Sequence, residues 1–89
     1  MTGILKREEL NMLSHLLRNN DFYVRRHAYE YVIGYEGEIL GVMEIFDWDN
    51  FLFYLNVLAK EKFWKAFDKL TKAIHSFNPN ATITAKLCL

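Results

Sequence analysis

Three tyrosines, Tyr29, Tyr31 and Tyr35, crowd the segment YEYVIGYEGEILGVMEIF at 29–46. In an extended chain successive side chains point to opposite faces. Tyr29, Tyr31, Ile33 and Tyr35 would then share one face, and His27 would join them. A tyrosine there can bury its ring in a core and keep its hydroxyl at the rim. It can grip a partner, because the ring buries area while the hydroxyl tolerates water. It can also act as a general acid. Glu30 and Glu44 lie in the same segment. A glutamate beside a bound substrate can act as a general base; otherwise it lies solvated near a sheet edge or pairs with Arg25 or Arg26. The residues expected to meet a partner are Tyr29, Tyr31, Tyr35, His27 and Glu44.

Other reactive residue types form no recognisable constellation. His15, His27 and His75 fall on separate expected elements, with no His-Cys or His-x-x-x-His spacing for zinc. DWDN at 47–50 begins like a calcium loop, but the fifth, sixth and twelfth positions are Phe51, Leu52 and Leu58. A calcium loop needs an oxygen ligand, a glycine and a glutamate there. Asp47 and Asp49 therefore read as turn or cap residues. Cys88 lacks the sequence signature of a nucleophile and reads as a packed or edge thiol. No Ser-His-Asp arrangement or phosphate loop is present. No catalytic, cofactor or metal site is expected.

The chain has 89 residues, enough for one domain spanning 1–89. Hydrophobic residues make up 52% and aromatic residues 16%, so rings either fill a thin core or cover a partner. Eleven basic residues balance eleven acidic ones. That neutrality argues against a nucleic-acid binder, whose affinity comes largely from neutralising phosphates. It also leaves little repulsion between copies and so allows a homodimer. A single cysteine excludes an internal disulfide and fits a reducing, cytoplasmic setting. No apolar run reaches about 18 residues, so no membrane helix is expected.

Secondary-structure signals supply the frame. Leu10, Leu13 and Leu17, with Met12 and Leu16, recur at helical steps over 4–19, and NND at 19–21 stops the helix. Residues 22–46 read as two strands around a Glu36-Gly37 turn, because glycine supplies the positive φ of a tight hairpin. That register sets Ile33 opposite Leu40, Tyr31 opposite Val42, Tyr29 opposite Glu44 and His27 opposite Phe46. Both faces of this hairpin are largely apolar, so each is expected to be covered over part of its length, by helices or by a partner. Residues 51–58 read as a strand, since a helix running from 49 to 77 would be too long for so small a domain. Phe63, Phe67, Leu70, Ile74 and Phe77 mark a helix over 60–77, ended by Asn78-Pro79. ATITAKLCL at 81–89 alternates as a half-buried strand. The expected class is α+β: a mainly antiparallel sheet of about three to four strands, in the order α-β-β-β-α-β, packed on two helices.

This order, with the hairpin YVIGYEGEILGVMEI, resembles the GNAT acetyltransferase superfamily over most of the chain. The resemblance implies a third strand, a long helix and a further strand after the hairpin. It also implies coenzyme A bound by a Gln/Arg-x-x-Gly-x-Gly/Ala loop before that helix. At that place this chain reads VLAKEKFWKAF, with no glycine. A scaffold of this kind would serve another purpose. The leading expectation is a small intracellular, non-catalytic regulator or inhibitor that binds another protein, of a type phages and mobile elements encode. The alternatives are a minimal GNAT-like acyltransferase and a nucleic-acid binder using Lys60, Lys62, Lys65, Arg25 and Arg26.

Overall fold

The computed structural model describes residues 6–88. Helix α1 (Arg7–Asn19) turns Leu10, Leu13 and Leu17 inward, each burial stabilising by roughly 1.5–3 kcal/mol. Ile4 and Leu5, expected in this helix, lie outside the described residues. The helix closes on the Asn20 side-chain amide, which donates to the Leu16 carbonyl at 2.8 Å. Four strands follow as a meander: β1 (Phe22–His27), β2 (Glu30–Tyr35), β3 (Glu38–Asp47) and β4 (Asn50–Asn56). A single 3-10 turn, Val57–Ala59, leads into α2 (Lys60–Phe77), and the chain returns as β5 (Thr82–Cys88).

The sheet has five strands in the order β1-β2-β3-β4-β5. All neighbours are antiparallel except β4 and β5, which are parallel. A parallel pair requires a crossover connection, and α2 provides it. The class is α+β as expected, with more strands. The expected single strand over 22–35 is two strands, because the chain reverses at Ala28 and Tyr29. Ala28 sits at φ 53, a conformation alanine disfavours, so no turn-forming residue announces the reversal. His27 consequently pairs with Glu30 rather than Phe46.

The Glu36-Gly37 turn forms where expected, with φ of 48 and 84. Tyr35 pairs with Glu38 and Gly34 with Ile39. Beyond that pair the expected register is displaced by one residue. Leu40 is extra, so Ile33 faces Gly41, Tyr31 faces Met43 and Glu30 faces Glu44. A bulge of this kind leaves one residue unpaired and bends the strand. Gly41 has φ 153, and a Cβ there would overlap the Tyr54 carbonyl oxygen, so glycine is required.

The bulge decides which side chains reach the core. Tyr31, Ile33, Leu40, Met43, Ile45, Phe51, Phe53 and Leu55 face the helices and are buried. Phe63, Leu70 and Ile74 of α2 and the leucines of α1 complete the core. Both helices lie on this side. Among the described residues the other face carries no helix, so helices supply the expected cover on one face only.

Asn78 fastens the end of α2 to the β3–β4 turn. It is buried, and its side-chain amide donates to the Trp48 carbonyl at 2.6 Å and to Asp49 Oδ1 at 3.0 Å. Asp47 shapes the same turn by accepting from the Asp49 amide at 2.8 Å and the Asn50 side chain at 2.9 Å. These hydrogen bonds, that from Asn50 foremost, hold its carboxyl below the usual carboxylate range. The DWDN segment is thus a turn.

Candidate functional site

Pairing registers lay out the helix-free face in rows. One row runs Tyr23, Gly34, Ile39. The next runs Arg25, Val32, Val42, Tyr54, Lys86. A third runs His27, Glu30, Glu44, Leu52, Thr84. Phe46 sits beside the last row, at the irregularity where β3 slips against β4. Strand alternation puts these side chains opposite the core. Tyr23, Ile39 and Phe46 stand 53%, 45% and 58% exposed, while Val32, Val42 and Tyr54 are half-buried between them. An apolar belt therefore runs from Tyr23 and Ile39 through Val32, Val42 and Tyr54, and the Glu30–Glu44 pair borders it and separates it from Phe46.

Glu30 and Glu44 are the charged centre of this face. They are directly opposite on neighbouring antiparallel strands, where like charges repel. Among the described residues neither carboxylate lies within ion-pair distance of a cation. The anticipated pairing of Glu30 or Glu44 with Arg25 or Arg26 is absent from those contacts. Arg26 instead donates to the Ala28 carbonyl at 2.8 Å and to Asn11 Oδ1 at 2.7 Å. Beside the carboxylates, His27, Tyr29 and Phe46 rim a shallow depression of about 520 Å³.

The expected aromatic row divides. Tyr31 is completely buried beneath α1, and its hydroxyl donates to the Leu10 carbonyl at 2.6 Å. Burial pushes its phenol up to about 12. Tyr35 is half-buried on the same helical side, against Phe22 at 5.1 Å between ring centroids. Lys69 lies 5.5 Å from the Tyr35 centroid and is held there by Asp21 at 2.7 Å. Tyr29 is exposed in the β1–β2 turn. His27 and Glu44 reach the open face. The five residues therefore do not form one surface: Tyr31 belongs to the core, and Tyr29, His27 and Glu44 gather near the β1–β2 turn.

Tyr23, Ile39, Val42 and Phe46 were not singled out by the residue pattern. Their signal was alternation, but it could be used only once the bulge and the extra turn were known. Tyr54 and Asn56, two residues apart on β4, share the open face. Asn56 has its partners: it donates to the Ile39 carbonyl at 3.0 Å and accepts from the Leu58 amide at 3.1 Å.

The lysine row along α2 is partly neutralised within the chain. Lys62 meets Glu36 and Glu38 at 3.4 and 3.6 Å, Lys69 meets Asp21, and Lys72 meets Asp68 at 3.0 Å. The junction before α2 is a 3-10 turn followed directly by helix, with a side chain at every position. Among the described residues, no three His, Cys, Asp or Glu could hold a metal ion, and no helix is long and apolar enough to cross a membrane.

No protein-family model, curated protein or solved structure gives a significant match to this chain.

Proposed function

We propose that this chain is a non-catalytic protein-binding module, a regulator or inhibitor, whose contact surface is the helix-free face of its sheet. The observation carrying this reading is the one-sided architecture. Five strands have helices on one side, and the other side presents Tyr23, Ile39 and Phe46 at about half exposure. A sheet face backed by water usually alternates to polar residues. Exposed apolar side chains gathered on one face of a small protein mark an interaction site. The tyrosine and phenylalanine rings are of the type that supplies binding energy in a contact centre. The Glu30–Glu44 pair favours a partner that brings a basic side chain to the margin of the belt, because such a group would relieve the repulsion. Other exposed apolar side chains lie elsewhere, Trp64 on α2 and Leu58 in the 3-10 turn before it.

The test is capture of the partner from the native host, followed by direct binding with variants of the open face. An Ile39→Asp/Phe46→Asp double variant should keep its circular-dichroism spectrum and lose the partner by tenfold or more. A folded double variant that binds unchanged sinks the reading.

A further inference from the structure

The sheet has two edges, β1 and β5. The hydrogen-bonding groups that β5 offers can be assigned. The Thr82 amide donates to the Asp49 carbonyl at 2.7 Å, one residue before its register partner Asn50. In a parallel ladder a residue sends its N–H and C=O to one side, and the next residue sends both to the other. Thr82, Thr84 and Lys86 therefore bond to β4. Ile83, Ala85 and Leu87 present their backbone groups at the outer edge, where no strand pairs among the described residues. Leu87 is also 50% exposed on the helical side of the sheet. The β1 edge differs, because α1 packs against it and Arg18 donates to its Val24 carbonyl at 3.0 Å.

We propose that β5 pairs antiparallel with β5 of a second copy, about a two-fold axis through Ala85. An isologous contact between identical strands must be antiparallel. With the axis normal to the sheet, directly opposed residues share a face, so the axis must pass through a residue rather than between two. Centring on Ala85 engages all seven residues of the strand. Ala85 then opposes its own copy and Ile83 opposes Leu87, and each of these pairs exchanges two backbone hydrogen bonds. Lys86 falls opposite Thr84. Centring on Lys86 would set two ammonium groups face to face. Centring on Thr84 would leave Leu87 beyond the paired stretch. The register at Ala85 covers the exposed leucine and opposes no like charges. Both helical layers then lie on one side of the joined sheet and both open faces on the other. The pairing stands independently of any partner on the open face.

Sedimentation velocity on the 89-residue chain, up to about 1 mM, tests it. The mass should rise toward twice the monomer. Ala85→Pro deletes an outward N–H and spares the ladder to β4, a position where an edge strand tolerates proline. It should abolish the dimer and leave the fold intact. Thr84→Glu places a carboxylate opposite Lys86 twice and should tighten the dimer about fivefold, whereas Thr84→Lys should weaken it about fivefold. These two carry the test if the proline variant does not fold. A chain that stays monomeric at about 1 mM overturns the proposal. So does a dimer untouched by a folded Ala85→Pro, or one that Thr84→Glu loosens. Ile39→Asp/Phe46→Asp should leave the dimer unchanged, and its loss there would overturn β5 as the contact.

Discussion

The Tyr31 hydroxyl and the Leu10 carbonyl meet at 2.6 Å inside the core, across 21 residues of chain. The Ser14 hydroxyl, one turn along the same helix, reaches the same carbonyl at 3.2 Å, so the Leu10 oxygen takes one donor from within α1 and one from the sheet. Tyr31→Phe should cost about 1 kcal/mol, since the Leu10 oxygen keeps Ser14. Tyr31→Ala should cost roughly 3–5 kcal/mol through the cavity it opens. Urea unfolding followed by tryptophan fluorescence distinguishes the two, and equal costs would disprove the assignment.

The same tyrosine makes stability fall in alkali. Its folded value of about 12 stands above the ordinary 10.0. The unfolded chain therefore releases this proton first. The stabilisation is complete below about pH 10 and is lost as pH rises toward 12, at no more than about 1.4 kcal/mol per pH unit. Urea midpoints of the wild type should fall across that window more steeply than those of Tyr31→Phe.

Asn78 holds the end of α2 to the turn at Trp48 and Asp49. Asn78→Ala strands the Trp48 carbonyl in a closely packed site and should cost about 1–3 kcal/mol. Thermal melting should drop by several degrees, and a change within error would show that the turn is held by other contacts.

Ala28 and Gly41 should respond in opposite directions to exchange between alanine and glycine. Ala28 stands at φ 53, so Ala28→Gly should stabilise by roughly 0.5–1 kcal/mol. Gly41→Ala should destabilise by about 3 kcal/mol, because the added methyl has no room beside Tyr54. Chemical denaturation of both variants checks the sign of each.

Glu44→Lys converts a like-charged opposed pair into an attractive one with Glu30. It should raise stability by a few tenths of a kcal/mol and weaken capture of a basic partner. Greater stability together with unchanged binding would separate the carboxylates from the contact.

Much of the fold was legible wherever one periodicity ran uninterrupted. The strand at 51–58, the helix at 60–77 and the alternating C-terminal strand appear at close to their expected bounds. The Glu36-Gly37 turn was legible because glycine marks it. Two features escaped for the same physical reason: tertiary packing overrode local preference. The reversal at Ala28 and Tyr29 uses no turn-forming residue, which merged β1 and β2 into one strand. The extra residue at Leu40 shifted the register, and a shift of one residue exchanges the two faces of a strand. Tyr31 was consequently set opposite Val42 rather than Met43. The tyrosine spacing did identify the shared face of Tyr31 and Tyr35. Whether helices or solvent would lie over it depended on contacts remote in sequence.

The single parallel pair also orders events in time. Strands β1 to β4 join neighbours through short turns, so their contacts are local and close early. Pairing β5 with β4 must wait for the 3-10 turn and all of α2 to be placed, a longer loop with a larger entropic cost. The last strand to dock is therefore the one whose outer edge pairs with no other strand among the described residues. During synthesis its backbone emerges after that of the meander, which is then available to template it. Variants that slow α2, such as a glycine at Ala66 or Ala73, should prolong the life of a four-stranded intermediate and expose β4 as a temporary edge.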